Sequence, residues 1–404
     1  MAAMRIDEAR RSVSLDPVDP EFFQNPYPAY HAIRDRTPVF KWEQYGIWCF
    51  SRHEEVNALL RDRRFGRQIL HVATREELGW PETPAHLRPF YDFESHSLLE
   101  LEPPVHTRLR SLVNRSFLSR QVERLRPAIT SLANGLIDRI EGKGEAELIT
   151  GFATPIPVIV ICDLLGVPSE MARQLLAWSH DMVAMYQARR DRAIEDRAVR
   201  ATVEFSGFMR DYVTRRRREP KDDLLSELIK AEEQGARLSE DELVTTAILL
   251  LNAGHEATVH AIGNAIKCLL EQNIREGIGE AHVEETLRYD APLHLFTRYA
   301  LEDLEYAGIR LKKGESVGLM LGAANRDPAR FPEPDLFIPS RDPNPQVSFG
   351  AGIHFCIGAP LARLEMQIAL PLLFQRLPKL ALAERPLYRN AYHFHGLESL
   401  KVTF

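Results

Sequence analysis

VSFGAGIHFCIGAPLARLE, spanning Val347 to Glu365, places one cysteine, Cys356, near three glycines, Gly350, Gly352 and Gly358, directly ahead of an amphipathic helix. Glycine reaches positive φ without a Cβ clash and lets a backbone approach a flat cofactor closely. Amides at the start of the following helix can point at the sulfur, lowering its pKa so that it stays a thiolate. His354, two residues before the cysteine, is placed to reach an anionic group at such a cofactor's edge. The plainer reading of an isolated cysteine here is a buried thiol in a glycine-rich turn. A zinc site fails, because no second cysteine or histidine pair stands at ligand spacing.

Outside this loop the composition belongs to a packed globular protein. Of 404 residues, 45% are hydrophobic and 27% charged, which supplies a large core and gives no sign of disorder. At about 150 residues per domain the length allows two or three units. No repeat, low-complexity segment or Gly/Ser-rich linker divides the chain, so it reads as one domain over residues 1–404. The net charge of −6, without a basic stripe interleaved with aromatics, argues against a nucleic-acid partner. Arg215 to Arg218, the one dense basic run, closes a helical pattern and reads as a solvated helix end. MAAMRIDEARRS lacks the apolar core of a signal peptide, and no run of about 18 apolar residues occurs, so a soluble, cytoplasmic protein without a membrane partner is expected. Cys49, Cys162 and Cys268 are widely spaced in apolar contexts and read as buried small hydrophobes of a reducing compartment.

Periodicity gives a mainly α chain with small β-sheets. After an NPYPAY turn and a helical pattern from His31 to Arg36, Val39 to Lys41 and Ile47 to Phe50 read as strands. A helix-rich region covers about 105–290, with helices over Thr107 to Phe117, Arg120 to Ile140, Pro157 to Leu165, Ser169 to Tyr186, Ile194 to Arg217, Asp222 to Glu232 and Glu240 to Leu270. The β-containing regions fall at about 37–52 and 297–400, with strands over Thr297 to Ala300, Ile309 to Leu311 and Ser316 to Leu321. A Pro-rich meander covers Asp327 to Pro345, and a last helix runs from about Gly358 to Leu377.

F-G-x-G-x-H-x-C-x-G, from Phe349 to Gly358, closely resembles the haem-binding signature of the cytochrome P-450 family, the thiolate-ligated haem monooxygenases. Glu285 and Arg288 in HVEETLRYDAP, with Arg341 in FIPSRD, match that family's Glu-Arg-Arg network behind the cysteine loop; alone, a Glu and Arg three apart would be an ordinary surface pair. The resemblance spans nearly the whole chain from Asn25. It implies a triangular helical prism around a buried haem b, with Cys356 as axial thiolate and Phe349, Gly350, Gly358 and His354 lining the cofactor. It also implies propionate contacts from His106 and Arg110, four apart on one helical face, from Arg298 in FTRYA, and from His354.

The long apolar helix resembles the family's oxygen-binding helix in its middle, LLNAGHEATVH. The resemblance gives Ala253 and Gly254 the role of leaving space above the iron, and Glu256 that of a proton source acting through water. The chain departs from the family next, because Ala257 stands where most members have threonine and Thr258 follows. Reductive activation of O2 consumes two protons, and the usual hydroxyl orients the water that delivers them. Thr258 lies about 100° further round the helix and is no simple substitute. A substrate hydroxyl or ordered water in its place, an oxidation tolerating uncoupled protons (coupling, desaturation or peroxide-driven chemistry), and a local shift presenting Thr258 are the three readings. A second departure is the connection from Cys268 to Glu284, shorter than the family's by roughly ten residues, which puts its usual helix in doubt.

By the same resemblance, about 69–97, Met182 to Tyr186, Leu293 to Phe296 and His393 to Phe394 line the substrate pocket. Leu293, Phe296 and Phe394 suit a hydrophobic body, while His294 and His393 suit polar substituents. The expected function is a monooxygenase that oxidises, most simply hydroxylates, a small organic, partly hydrophobic substrate with O2. Electrons would come from a separate ferredoxin and ferredoxin reductase, docking near Arg108, Arg115 and Arg363, and the chain is expected to be a monomer. A haem-binding sensor without turnover is the alternative from another class.

Overall fold

The computed structural model describes residues 4–115, 117–186, 190–233 and 238–404. They pack into two compact units. The first contains the described residues up to Ile69, then Arg126–Ile156 and Ala257–Phe404; the second contains Leu70–Leu125 and Pro157–Glu256.

Every strand among the described residues belongs to the first unit. Its main sheet has seven strands in the order Arg5–Asp7, Ser12–Ser14, Val39–Trp42, Ile47–Phe50, Ser316–Met320, Leu295–Ala300 and Phe65–Gly66. Ser316–Met320 pairs in parallel with Ile47–Phe50 and antiparallel with Leu295–Ala300, setting Val317 opposite Arg298. Since side chains alternate along a strand, Phe296 and Arg298 share one face. Gly318 is required here, because a Cβ would lie 2.7 Å from Cys49 Sγ. One core built on this sheet gathers Phe22, Tyr30, Phe40 and Trp42; another gathers Phe50, Val56, Leu60, Leu319 and Val347. Burying each such side chain stabilises the fold by about 1.5–3 kcal/mol. A third core joins Arg126–Asp138, Ala359–Arg376 and the Ala257 end of Glu240–Glu271.

The second unit is helical. Arg192–Arg218 is capped by the Asp191 side chain, which accepts from Ile194 N–H, and packs along Ala172–Val183. Trp178 stacks on Phe205 with ring centres 5.0 Å apart.

Several sequence expectations need correction. The NPYPAY turn is already helix: Tyr27–Arg36 carries Pro28 in its first turn, where the missing N–H is harmless. Arg120 to Ile140 splits into Ser119–Val122, a 3-10 turn and Arg126–Asp138, because Pro127 fits the first turn of a helix but not its interior. The expected Thr107 to Phe117 helix spans Val105–Asn114, and Ser116 lies outside the described residues. Glu145–Glu147, inside the helix-rich region, is a strand that pairs with Lys401–Thr403. The basic run is not wholly solvated: Arg216 is buried, binds Asp223 and donates to Gly166 O at 3.2 Å. Residues 272–279 form turns without a helix. Among the described residues no helix is long and apolar enough to cross a membrane.

Candidate active site

In the first unit, the cysteine loop is shaped by its glycines. Gly350 and Gly352 adopt φ of +67° and +71°, and a Cβ at Gly352 would stand 2.5 Å from Leu60 O. Cys356 N–H donates to Phe349 O at 2.9 Å, which folds the chain back beneath the sulfur's residue. At Gly358 a Cβ would touch Cys356 Sγ at 3.9 Å, so glycine leaves that flank of the thiol open. Cys356 is exposed and the other three cysteines are buried. Burial pushes the thiols of Cys49 and Cys268 upward and that of Cys162 up to about 12, so these three stay protonated.

The loop is anchored from behind. Ser348 Oγ donates to Leu287 O at 2.6 Å and accepts from Asn325 Nδ2 at 2.7 Å. Arg363, one turn into the following helix, donates to Glu284 at 2.5 and 2.9 Å and lies 4.5 Å from the Phe349 ring centre. Glu285 and Arg288 are far from the surface pair that spacing alone allows. Both are fully buried and bond at 2.7 and 2.8 Å. Arg341 and Asn344 donate to the same carboxylate at 3.1 Å each, and Ile338 N–H donates at 2.7 Å. Arg288 also donates to Asn325 O, Pro334 O and Leu336 O. The network therefore ties the helix Glu280–Tyr289 to the meander that leads into the loop.

Arg298, 3% exposed, projects from the strand Leu295–Ala300, donates to Thr297 O at 2.8 Å and lies 5.9 Å from the Phe296 ring centre. The Phe296 ring reaches to 3.3 Å of where a Gly350 Cβ would be, so strand and loop meet closely. His354 is half-buried in the 3-10 turn Gly352–His354. His106 is buried and Arg110 half-buried one turn apart on Val105–Asn114 of the second unit. The donor chemistry fits haem b: one accessible thiol on a glycine turn, with a buried guanidinium on the strand packed against that turn.

The helix Glu240–Glu271 runs unbroken through the oxygen-site sequence. Ala253 is exposed, Ala257 half-buried and Thr258 buried. Gly254 is explained by its packing. A Cβ there would lie 2.8 Å from Ile161 Cγ1, so glycine admits a neighbouring helix, a role the sequence reading did not foresee. Glu256 Oε2 lies 3.3 Å from His180 Nε2 and 3.6 Å from His255 Nε2. Sequence reading missed both histidines. His255 was adjacent to Glu256 and available as a signal, whereas nothing in the sequence links His180 to it.

Among the pocket candidates, Leu293, Phe296, His393 and Phe394 are half-buried, and Leu293 pairs with Phe394 through an isolated antiparallel bridge. Burial, reinforced by the charge of Arg67, lowers His393 to about 4, so the imidazole is neutral near pH 7. His294 is a correction. It is fully buried, its Nδ1 bonds Tyr30 Oη at 2.7 Å, and its ring packs among Tyr27, Tyr392 and His395, leaving no face for a ligand. Of the expected docking cations, Arg115 is exposed. Arg108 and Arg363 are engaged by Glu242 and Glu284, which reduces the net positive field they offer.

A family model described as cytochrome P-450 matches residues 68–273 and 279–381, the break falling in the turns after the long helix. The biotin biosynthesis cytochrome P-450 of Bacillus subtilis is 37% identical over 395 residues, covering 95% of this chain and 97% of that protein. The vitamin D(3) 25-hydroxylase of Pseudonocardia autotrophica is 39% identical, covering 95% and 94%. The crystal structure of P-450BioI in complex with hexadec-9Z-enoic acid ligated acyl carrier protein superposes with a TM-score of 0.88 at 36% identity, covering 95% of this chain and 99% of that one.

Proposed function

This chain belongs to the cytochrome P-450 family, and from that premise we propose that it hydroxylates an organic substrate with a long apolar body, with Glu256 as proton source and a substrate hydroxyl or ordered water at Ala257. It is a haem monooxygenase, and haem b bound through a cysteine thiolate supplies the reductive activation of O2. Cys356 would hold it, with Phe349, Gly350 and Gly358 against the ring. Arg298, His354, His106 and Arg110 would meet the propionates. The whole chain would act as one catalytic domain and a monomer, supplied with electrons by a ferredoxin and its reductase.

The observation that carries the reading is Ala257. Ala257 is half-buried, and the adjacent Thr258 is buried. A methyl group neither donates nor accepts a hydrogen bond, so the last proton carrier must be a water or part of the substrate. Non-hydroxylating or peroxide-driven oxidation is the second reading that the same residue supports. The apolar body is supported by Leu293, Phe296 and Phe394, half-buried on the first unit, and by the fatty-acyl carrier-protein ligand of P-450BioI. Hexadec-9Z-enoic acid, free and as its acyl-carrier-protein thioester, is therefore the first compound for spin-shift titration. With any compound that shifts the spin state, Ala257→Thr should change product formed per pyridine nucleotide consumed. A ratio equal to that of the parent, with substrate affinity retained, would overturn the proposed route. Efficient product formation from peroxide alone would favour the second reading.

A further inference from the structure

Three titratable side chains of the second unit converge without a role in holding haem. His180 comes from Ala172–Val183, and His255 and Glu256 are consecutive on Glu240–Glu271. Their nearest ligating atoms all lie within 4.8 Å of one another. His255 is 4% exposed, and its Nδ1 stands 2.7 Å from Leu251 O. A carbonyl only accepts, so Nδ1 carries a proton and Nε2 is the ring atom left to ligate an ion. His255 Nε2 stands 3.6 Å from Glu256 Oε2, on the same side as His180. A backbone carbonyl behind the opposite ring nitrogen is also the usual support of a metal-bound histidine.

We propose that His180 Nε2, His255 Nε2 and a Glu256 carboxylate oxygen bind a divalent transition ion of zinc's class, with water as fourth ligand. Tetrahedral bonds of about 2.0–2.1 Å put ligand atoms roughly 3.3–3.4 Å apart. The two pairs that involve Glu256 Oε2 already stand at 3.3 and 3.6 Å. The remaining pair, His180 with His255, has its ligand atoms within 4.8 Å and must close by up to about 1.5 Å. His180 has the freedom to do so, its side chain being 53% exposed. Two imidazoles and one carboxylate suit zinc, cobalt or nickel ahead of calcium or magnesium, which prefer all-oxygen sets. An ion there would occupy the oxygen assigned to proton delivery, so the site would inhibit turnover. That consequence rests on the reading of Glu256 as proton source, whereas binding does not.

The test is calorimetric titration of ZnCl2 into haem-loaded protein freed of metal by chelation, so that Cys356 is already engaged. One ion per chain should bind, with affinity falling roughly tenfold or more in His180→Ala and in Glu256→Gln while circular dichroism is unchanged. Undetectable binding, or equal binding by His180→Ala, overturns the site. In turnover assays Zn2+ should reduce product in the parent and have little effect in His180→Ala. Zinc that binds as described without slowing turnover leaves the metal site standing and removes Glu256 from proton delivery.

Discussion

Cys356 differs from the other three cysteines in accessibility, and accessibility decides which sulfur can act as a thiolate. Cys356→Ser should abolish the red-shifted Soret band of the reduced carbon monoxide complex that thiolate ligation produces, while Cys162→Ser should retain it. A red-shifted band surviving in Cys356→Ser would transfer the ligand role to another residue. Single residues were legible in sequence where a dense local signature framed them, as at Cys356, Gly350 and Gly352. Legibility failed where a residue's meaning came from a distant partner. His294 read as a polar pocket group because it falls in the family's pocket segment beside apolar Leu293 and Phe296, yet Tyr30 and His395, remote in sequence, enclose it.

Elements were legible where periodicity was long. Glu240–Glu271 ends within one residue of its expected limit, because an apolar pattern over many turns admits no other structure. What the helix packs against was not legible. Gly254 faces Ile161, so Gly254→Ala should destabilise the protein by about 1–3 kcal/mol through overpacking. Ile161→Val should cost about 0.5–1.5 kcal/mol alone, and the double variant should be more stable than the sum of the two predicts. Chemical denaturation of the four proteins measures this coupling, and strict additivity would show that the two residues do not meet. The short connection at 272–279 follows similar logic: a length deficit is visible in sequence, and its outcome as turns is a matter of folding.

For the molecule as a whole, buried titratable groups set the acid limit of stability. His53, His294 and His393 are held below the ordinary histidine range chiefly by burial, His393 at about 4. As pH falls from about 6.5, the unfolded chain takes up these protons before the folded one, so stability declines toward pH 4. Asp290 acts lower. Burial pushes its carboxyl up, but His395, Lys267 and Tyr388 outweigh burial and hold it below the carboxylate range, so its contribution is lost only as pH drops beneath about 4. Urea unfolding of the parent should show falling stability between pH 7 and 4.5. His393→Gln should show a shallower fall, and an identical slope would exclude His393 as a contributor.

By itself the sequence determined the family signature around Cys356, the Glu285 and Arg288 spacing, the long helix and the departure at Ala257, because each is written in neighbouring residues with fixed backbone geometry. Only the tertiary structure decided that Glu285 and Arg288 are wholly buried, that Gly254 serves a helix contact, that His294 is closed to ligands, and that His180 stands beside His255 and Glu256. Burial and partnership depend on which distant segments the fold brings within a few ångströms, and no local pattern encodes that distance.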